Sequence, residues 1–265
     1  MSSKRATISR RELLRGAGAL AGAVGLGAFC GEAGALGSRS KVQLAQLRYA
    51  GGNPIPRASG LQRLAWELDK RTSIDVATQP LSVDLGAKAM FRHPFVYLGG
   101  DRAFPLPSAE KLAALRRHLT FGGFLLIDSA EARPGGDFDK SARALVAALF
   151  PKDPLRKVKR KKSVLHRSFY LLDDVVGRVA TVPYLEAVER HGRAAVVYCQ
   201  DDLAGAWARD NFGQWEHSVY PGGAHQRELA FRWGINLVMY ALCVDYKADQ
   251  VHIPFILKRR RWQIR

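Results

Sequence analysis

Phe95-Val96-Tyr97-Leu98-Gly99-Gly100 leads, through Pro107-Ser108 and an apolar stripe at Leu112, Leu115 and Leu119, to Phe124-Leu125-Leu126-Ile127-Asp128. The two outer runs are apolar without alternation, which suits strands covered on both faces. Ser108 stands where a side chain caps a helix, and Gly122 stands where a left-handed residue ends one. Strand, helix and strand in this order predict parallel pairing through a right-handed crossover.

Outward toward the N-terminus, Val42 to Tyr49 is a half-apolar extended run stopped by Gly51-Gly52-Asn53-Pro54. A helix is expected from Ser59, with Gln62 completing a capping box and Leu61, Leu64, Ala65 and Leu68 on one buried face. Ile74 to Val76 reads as a short strand. Outward toward the C-terminus, Asp137 to Phe150 is helical by its Ala142, Leu145, Val146 and Leu149 spacing, with Pro151 as the stop. Val164 to Leu172 and Ala194 to Cys199 read as extended, the second as a central strand. Gln226 to Tyr240 is the last clear helix, with Leu229, Trp233, Leu237 and Tyr240 inward. Asn236 falls on that face, and a buried amide needs partners, so it is expected to tie down a loop. Val251 to Leu257 reads as an extended strap. The fold class is therefore α/β, a three-layer, doubly wound, mostly parallel sheet.

In such sheets the ligand crevice lies beyond the carboxyl ends of the strands, near the reversal of strand order. That rule selects Tyr49, Gly51, Gly52, Asn53, Gly99, Gly100, Asp101 and Asp128 as ligand-binding candidates, with Ser129, Asp201 and Asp202 on the same rim. No Cys-x-x-Cys, His-Glu-x-x-His, Gly-x-Ser-x-Gly or Walker pattern occurs, so no metal or cofactor is expected. The acid/base candidates are Asp128, Ser129, His166 and Asp202, which only the fold can bring together. Trp207, Trp215 and Trp233 are suited to stacking on sugar rings and equally to a core.

Residues 1–35 read as a twin-arginine export signal: Ser9-Arg10-Arg11-Glu12-Leu13-Leu14 precedes a Gly16 to Ala28 segment with five glycines, and Ala33-Gly34-Ala35 offers a cleavage site. The expected compartment is periplasmic or at the inner membrane, with one α/β domain over 36–257 and a basic tail over 258–265. The whole chain has a formal charge of +17; residues 1–35 carry five Lys and Arg against two Glu, which leaves +14 for the remainder. Outside the cytoplasm, nucleic acid is not the expected partner; phospholipid headgroups and envelope polymers are. Lys157 to Lys162 and Lys258 to Arg261 are the basic clusters. Cys199 and Cys243 are compatible with a disulfide and equally with two separate thiols.

The blocks at 95–100, 121–128, Arg116-Arg117-His118-Leu119, Arg167-Ser168-Phe169-Tyr170 and Gly234-Ile235-Asn236-Leu237-Val238-Met239-Tyr240 together resemble the bacterial family called domain of unknown function 4159. The likeness runs from about Val42 to Tyr246 and takes in Leu47 to Asn53, Val196 to Tyr198 and Asp202-Leu203. It implies a class I glutamine-amidotransferase-like, flavodoxin-like architecture. On that pattern Leu98-Gly99-Gly100 corresponds to an oxyanion loop and Phe124 to Ile127 to the strand entering a nucleophile elbow. An amidotransferase has Cys after that strand; here Asp128-Ser129 follows, a carboxylate cannot do thiol chemistry, and Cys199 lies at another strand end. The expected function is an exported, non-catalytic binding or assembly module of the cell envelope, taking a small polar ligand, a partner protein or an anionic membrane surface. The alternative is an envelope carbohydrate or amide hydrolase using Asp128, Asp202 and His166.

Overall fold

The computed structural model describes residues 41–159 and 163–260, with side chains to 243. The segment read as an export signal, Arg160 to Lys162 and the side chains of the C-terminal tail lie outside the described residues. From Val42 onward the chain forms one compact unit.

Seven strands make one sheet: β1 (Val42–Arg48), β2 (Val76–Asp84), β3 (Phe95–Gly100), β4 (Phe124–Ser129), β5 (Arg156–Lys157), β6 (Glu186–Arg190) and β7 (Arg193–Cys199). Their order is β2-β1-β3-β4-β7-β6-β5. The pairs β1·β2, β1·β3, β3·β4 and β4·β7 are parallel, and β6·β7 and β5·β6 are antiparallel. This is the expected three-layer α/β fold, and strand order reverses between β1 and β3.

Among the described residues five α-helices cover the two faces: α1 (Gly60–Arg71), α2 (Ala109–Thr120), α3 (Asp137–Leu149), α4 (Leu203–Trp207) and α5 (Gly223–Arg260). Leu61, Leu64 and Leu68 of α1 pack with Tyr97, Leu126, Trp207, Trp233 and Leu237 on one face. Leu115 and Leu119 of α2 and Phe138, Leu145 and Leu149 of α3 pack with Leu47, Leu98 and Ile127 on the other. The alternation of β3 and β4 side chains between these two cores explains why both strands are apolar throughout.

Several expectations need correction. Ser59 does not form a capping box: its side chain makes no cap bond, and its hydroxyl instead donates to Glu216 Oε1 at 2.5 Å. The strand expected at Ile74–Val76 begins at Val76 and runs to Asp84, because parallel pairing with β1 carries it past the polar, Pro-containing residues of an edge strand. Val164–Leu172 is not a strand. Val164–Arg167 is a 3-10 turn, and the segment's backbone groups are satisfied by the α5 side chain of Asn236 rather than by a ladder. Val251–Leu257 continues α5 instead of forming a strap, since extending an existing helix gains a hydrogen bond for each residue fixed. Asn236 behaves as expected: its Nδ2 donates to the carbonyls of Leu165 and Tyr170, and its Oδ1 accepts from the Tyr170 amide. Cys199 and Cys243 are free thiols.

Candidate functional site

The carboxyl ends of the parallel strands carry two side-chain networks, one over each face of the sheet. Over the α2/α3 face, Tyr49 donates to Gly99 O at 2.8 Å and Asn53 O at 3.2 Å, and its ring lies 4.6 Å from that of Phe104. Asn53 Nδ2 donates to Asp101 Oδ2 at 2.9 Å, so the loops after β1 and β3 are tied together. The glycines here serve close packing. Gly51, at φ +73°, turns the chain under Pro105, and a Cβ on Gly100 would overlap the Phe138 ring and the Tyr49 hydroxyl.

Over the α1/α4 face, Asp128 is fully buried. It accepts the backbone N–H of Leu203 at 2.9 Å, that of Ala204 at 2.8 Å and the Tyr97 hydroxyl at 2.9 Å. Burial and the nearby charge of Asp202 push its pKa upward, while the two amides and Tyr97 pull the other way. Tyr97 is in turn held well above its usual pKa by burial and by Asp128, so it remains a donor. The first residue after the apolar run of β4, which the sequence resemblance set against a nucleophile position, thus supports the start of α4. Nor is there an elbow at this point. Asp128 and Ser129 remain within β4, the left-handed residue comes later at Ala132, and Ser129 Oγ accepts the Ala132 amide at 3.2 Å.

Asp202 sits next to this strut, also without solvent exposure, in the left-handed conformation at φ +55° that Asp tolerates better than most residues. It caps α4 through the Gly205 amide at 3.0 Å. Two arginines converge on it: Arg57 with Nη2 at 2.7 Å and Nε at 3.1 Å, and Arg178 through Nε. Arg57 also reaches His217 Nε2 at 3.1 Å, which makes that nitrogen the acceptor. Burial and then the Arg57 charge lower the His217 pKa, so the imidazole is neutral near pH 7. Asp201, also buried, accepts the amides of Thr181 at 2.8 Å and Val182 at 3.1 Å through one oxygen, and burial pushes its pKa up to about 6.

The structure therefore brings Asp128 and Asp202 together but not His166. That imidazole bonds Leu172 O at 2.9 Å through Nδ1 and packs edge-on against Trp233, in the core beneath α5. Among the described residues no group of three His, Cys, Asp or Glu could hold a metal ion. Tyr49, Gly51, Gly52, Asn53, Gly100 and Asp101 form one loop network, while Asp128 points to the opposite face of the sheet. Reading the sequence missed Arg57, Arg178 and His217. The available signal was Asp201-Asp202 after a central strand: two adjacent buried carboxylates demand cations or amides, although nothing local says which of many arginines supplies them.

No curated protein matches the chain. A match to DUF4159, a domain of unknown function, covers residues 43–242. Together with the seven-stranded, mostly parallel sheet described above, this match places the chain in the DUF4159 family.

Proposed function

We propose that this protein is an exported, non-catalytic binding or assembly module of the cell envelope that keeps an amidotransferase-like frame without its chemistry. The observation that carries the reading is the saturation of Asp128: both carboxylate oxygens are engaged by three donors, two of them backbone amides at the start of α4. A carboxylate so held, and without solvent exposure, presents no oxygen to a substrate, which speaks against a nucleophile or a general base at this position. The neighbouring Asp202 is neutralised by two guanidinium groups. What remains at the rim is recognition chemistry: the Asn53–Asp101 pair on one side, and Arg57, Arg178 and a neutral His217 on the other. The export part rests on Arg10-Arg11, the Gly/Ala-rich core and Ala33-x-Ala35.

The test is turnover by the chain from Leu36 onward on chromogenic glycosides and amides between pH 5 and pH 9. No turnover above background is expected. Hydrolysis that Ser129→Ala or Asp128→Asn abolishes, in a protein retaining its near-ultraviolet circular dichroism, would overturn the reading.

A further inference from the structure

We propose that the cleft between the first turns of α1 and the Arg209–Gly213 loop binds a small oxyanion, a phosphate or carboxylate carried on a sugar ring. The cleft measures about 360 Å3 and its wall includes Ser59, Gln62, Arg63, Trp66, Arg209 and Asn211. That volume lies at the small end of the range of about 300–1,000 Å3 for small-molecule sites.

Two arginines line this wall, Arg63 and Arg209, and a third, Arg227, stacks on the same tryptophan ring as Arg209; of the three only Arg63 has a carboxylate partner among the described residues. Arg63 gives Nη2 to Glu67 at 2.5 Å, yet its Nε–H is buried without an acceptor. Arg227 spends Nη1 and Nη2 on the carbonyls of Ala206 and His217, both at 2.6 Å. Arg209 is half-buried, its Nε–H is buried without an acceptor, and its guanidinium makes no hydrogen bond or ion pair among the described residues. The adjacent Asp210 also lines the cleft; it makes no ion pair with Arg209, and its Oδ1 accepts the amides of Phe212 at 2.9 Å and Gln214 at 2.7 Å.

Arg209 is held in place by Trp215, with its guanidinium carbon 3.7 Å from the ring centroid, while that of Arg227 lies 4.0 Å from the same ring. Stacking fixes the plane of the fork and leaves its N–H edge free. Burial and then the charge of Arg63 lower the Arg209 pKa, with Glu67 pulling the other way. The outer N–H groups of this fork, which unlike its Nε are not buried, fit the planar or tetrahedral oxygens of carboxylate or phosphate. Trp66, 39 % exposed, carries the Arg63 guanidinium carbon 3.9 Å from its ring centroid and offers its uncovered surface as an apolar wall, and Ser59, Gln62 and Asn211 supply hydroxyl partners. This site is separate from the Asp128 strut, so it stands whether or not the rim is catalytic.

Calorimetric and tryptophan-fluorescence titrations of the chain from Leu36 onward, at low salt, test the proposal with glucose 6-phosphate, glucuronate, inorganic phosphate and glucose. Saturable binding of the two anionic sugars is expected, at least about tenfold tighter than glucose. Arg209→Gln and Arg63→Gln should each weaken it about tenfold or more. Arg209→Lys should weaken it severalfold, whereas a diffuse attraction to a basic protein would survive that change because the charge is kept. Trp66→Ala should reduce affinity for glucose 6-phosphate more than for inorganic phosphate. If neither anionic sugar saturates at millimolar concentration, or if Arg209→Gln and Arg209→Lys bind as tightly as the wild type with native circular dichroism, the proposal fails.

Discussion

At Asp128 the number of donors exceeds what an amide side chain can accept. Asp128→Asn keeps one acceptor oxygen and sets an NH2 against groups that already donate, so at least one buried backbone amide of Leu203 or Ala204 loses its partner. A loss of about 2–4 kcal/mol in urea denaturation is expected, and a neutral result would show that the strut is dispensable. His118 makes a second residue-level prediction. It is buried against Gly123, its Nε2 lacks a partner, and burial followed by the charges of Arg193 and His93 pulls its pKa from 6.5 to about 4. Because the folded pKa is the lower one, the unfolded chain takes up the proton first as pH falls below about 6.5, and stability drains away down to about pH 4. Relative to His118→Gln, the wild type should lose on the order of 1–2 kcal/mol between pH 7.5 and pH 5, read from paired denaturation curves. An unchanged difference would mean that His118 has the same pKa in the folded and unfolded states. The position of Asp128 at a strand end was legible in the sequence. Its partners were not, because the amides it holds lie 75 and 76 residues further along the chain.

Among the elements, the regular ones declared themselves and the irregular ones did not. The apolar spacing in α1, α2 and α3 and the unbroken runs of β3 and β4 reflect local periodicity. The β6–β7 hairpin was hidden because Glu186–Arg190 is polar at its outer end, although His191 and Gly192, both at positive φ, form the two-residue turn between the strands. The 164–172 segment looked extended because it is apolar, yet its order comes from α5. Asn236 makes three hydrogen bonds to that segment, and Ser168 Oγ returns a fourth to the Asn236 carbonyl at 2.7 Å. Asn236→Leu removes the three side-chain bonds and strands the Tyr170 amide and two carbonyls in the core. We expect a destabilisation of about 2–4 kcal/mol and faster hydrogen exchange at Leu165 to Leu172 than in α1. Uniform acceleration across both elements would show that the segment does not depend on this anchor.

For the whole molecule, the layer order follows from the alternation of strands and helices, whereas the place of the reversal between β1 and β3 is seen only in the structure, and the family match covers the same body. What the chain does depends on where that body is sent and what its charge meets there. If the paired arginines are an address, Arg10→Lys with Arg11→Lys should leave the folded protein in the cytoplasm, while the wild type appears in the periplasmic fraction; equal fractionation would remove the export reading. On that reading the basic excess would meet the envelope side. No helix of the described residues is long and apolar enough to cross a membrane. With +14 outside the signal, and five Lys and Arg between Lys157 and Lys162, the chain should bind phosphatidylglycerol vesicles and not phosphatidylcholine ones. Each surface cation contributes about 1 kcal/mol near an anionic bilayer, and the field is screened over about 10 Å at 0.1 M salt. Replacing the five by Gln should therefore weaken vesicle cosedimentation by well over about tenfold at low salt, and raising salt toward 0.5 M should erase the difference. Binding that is insensitive both to salt and to those five replacements would mean that the basic cluster is only a solvated loop and that the envelope surface is not what this body recognises.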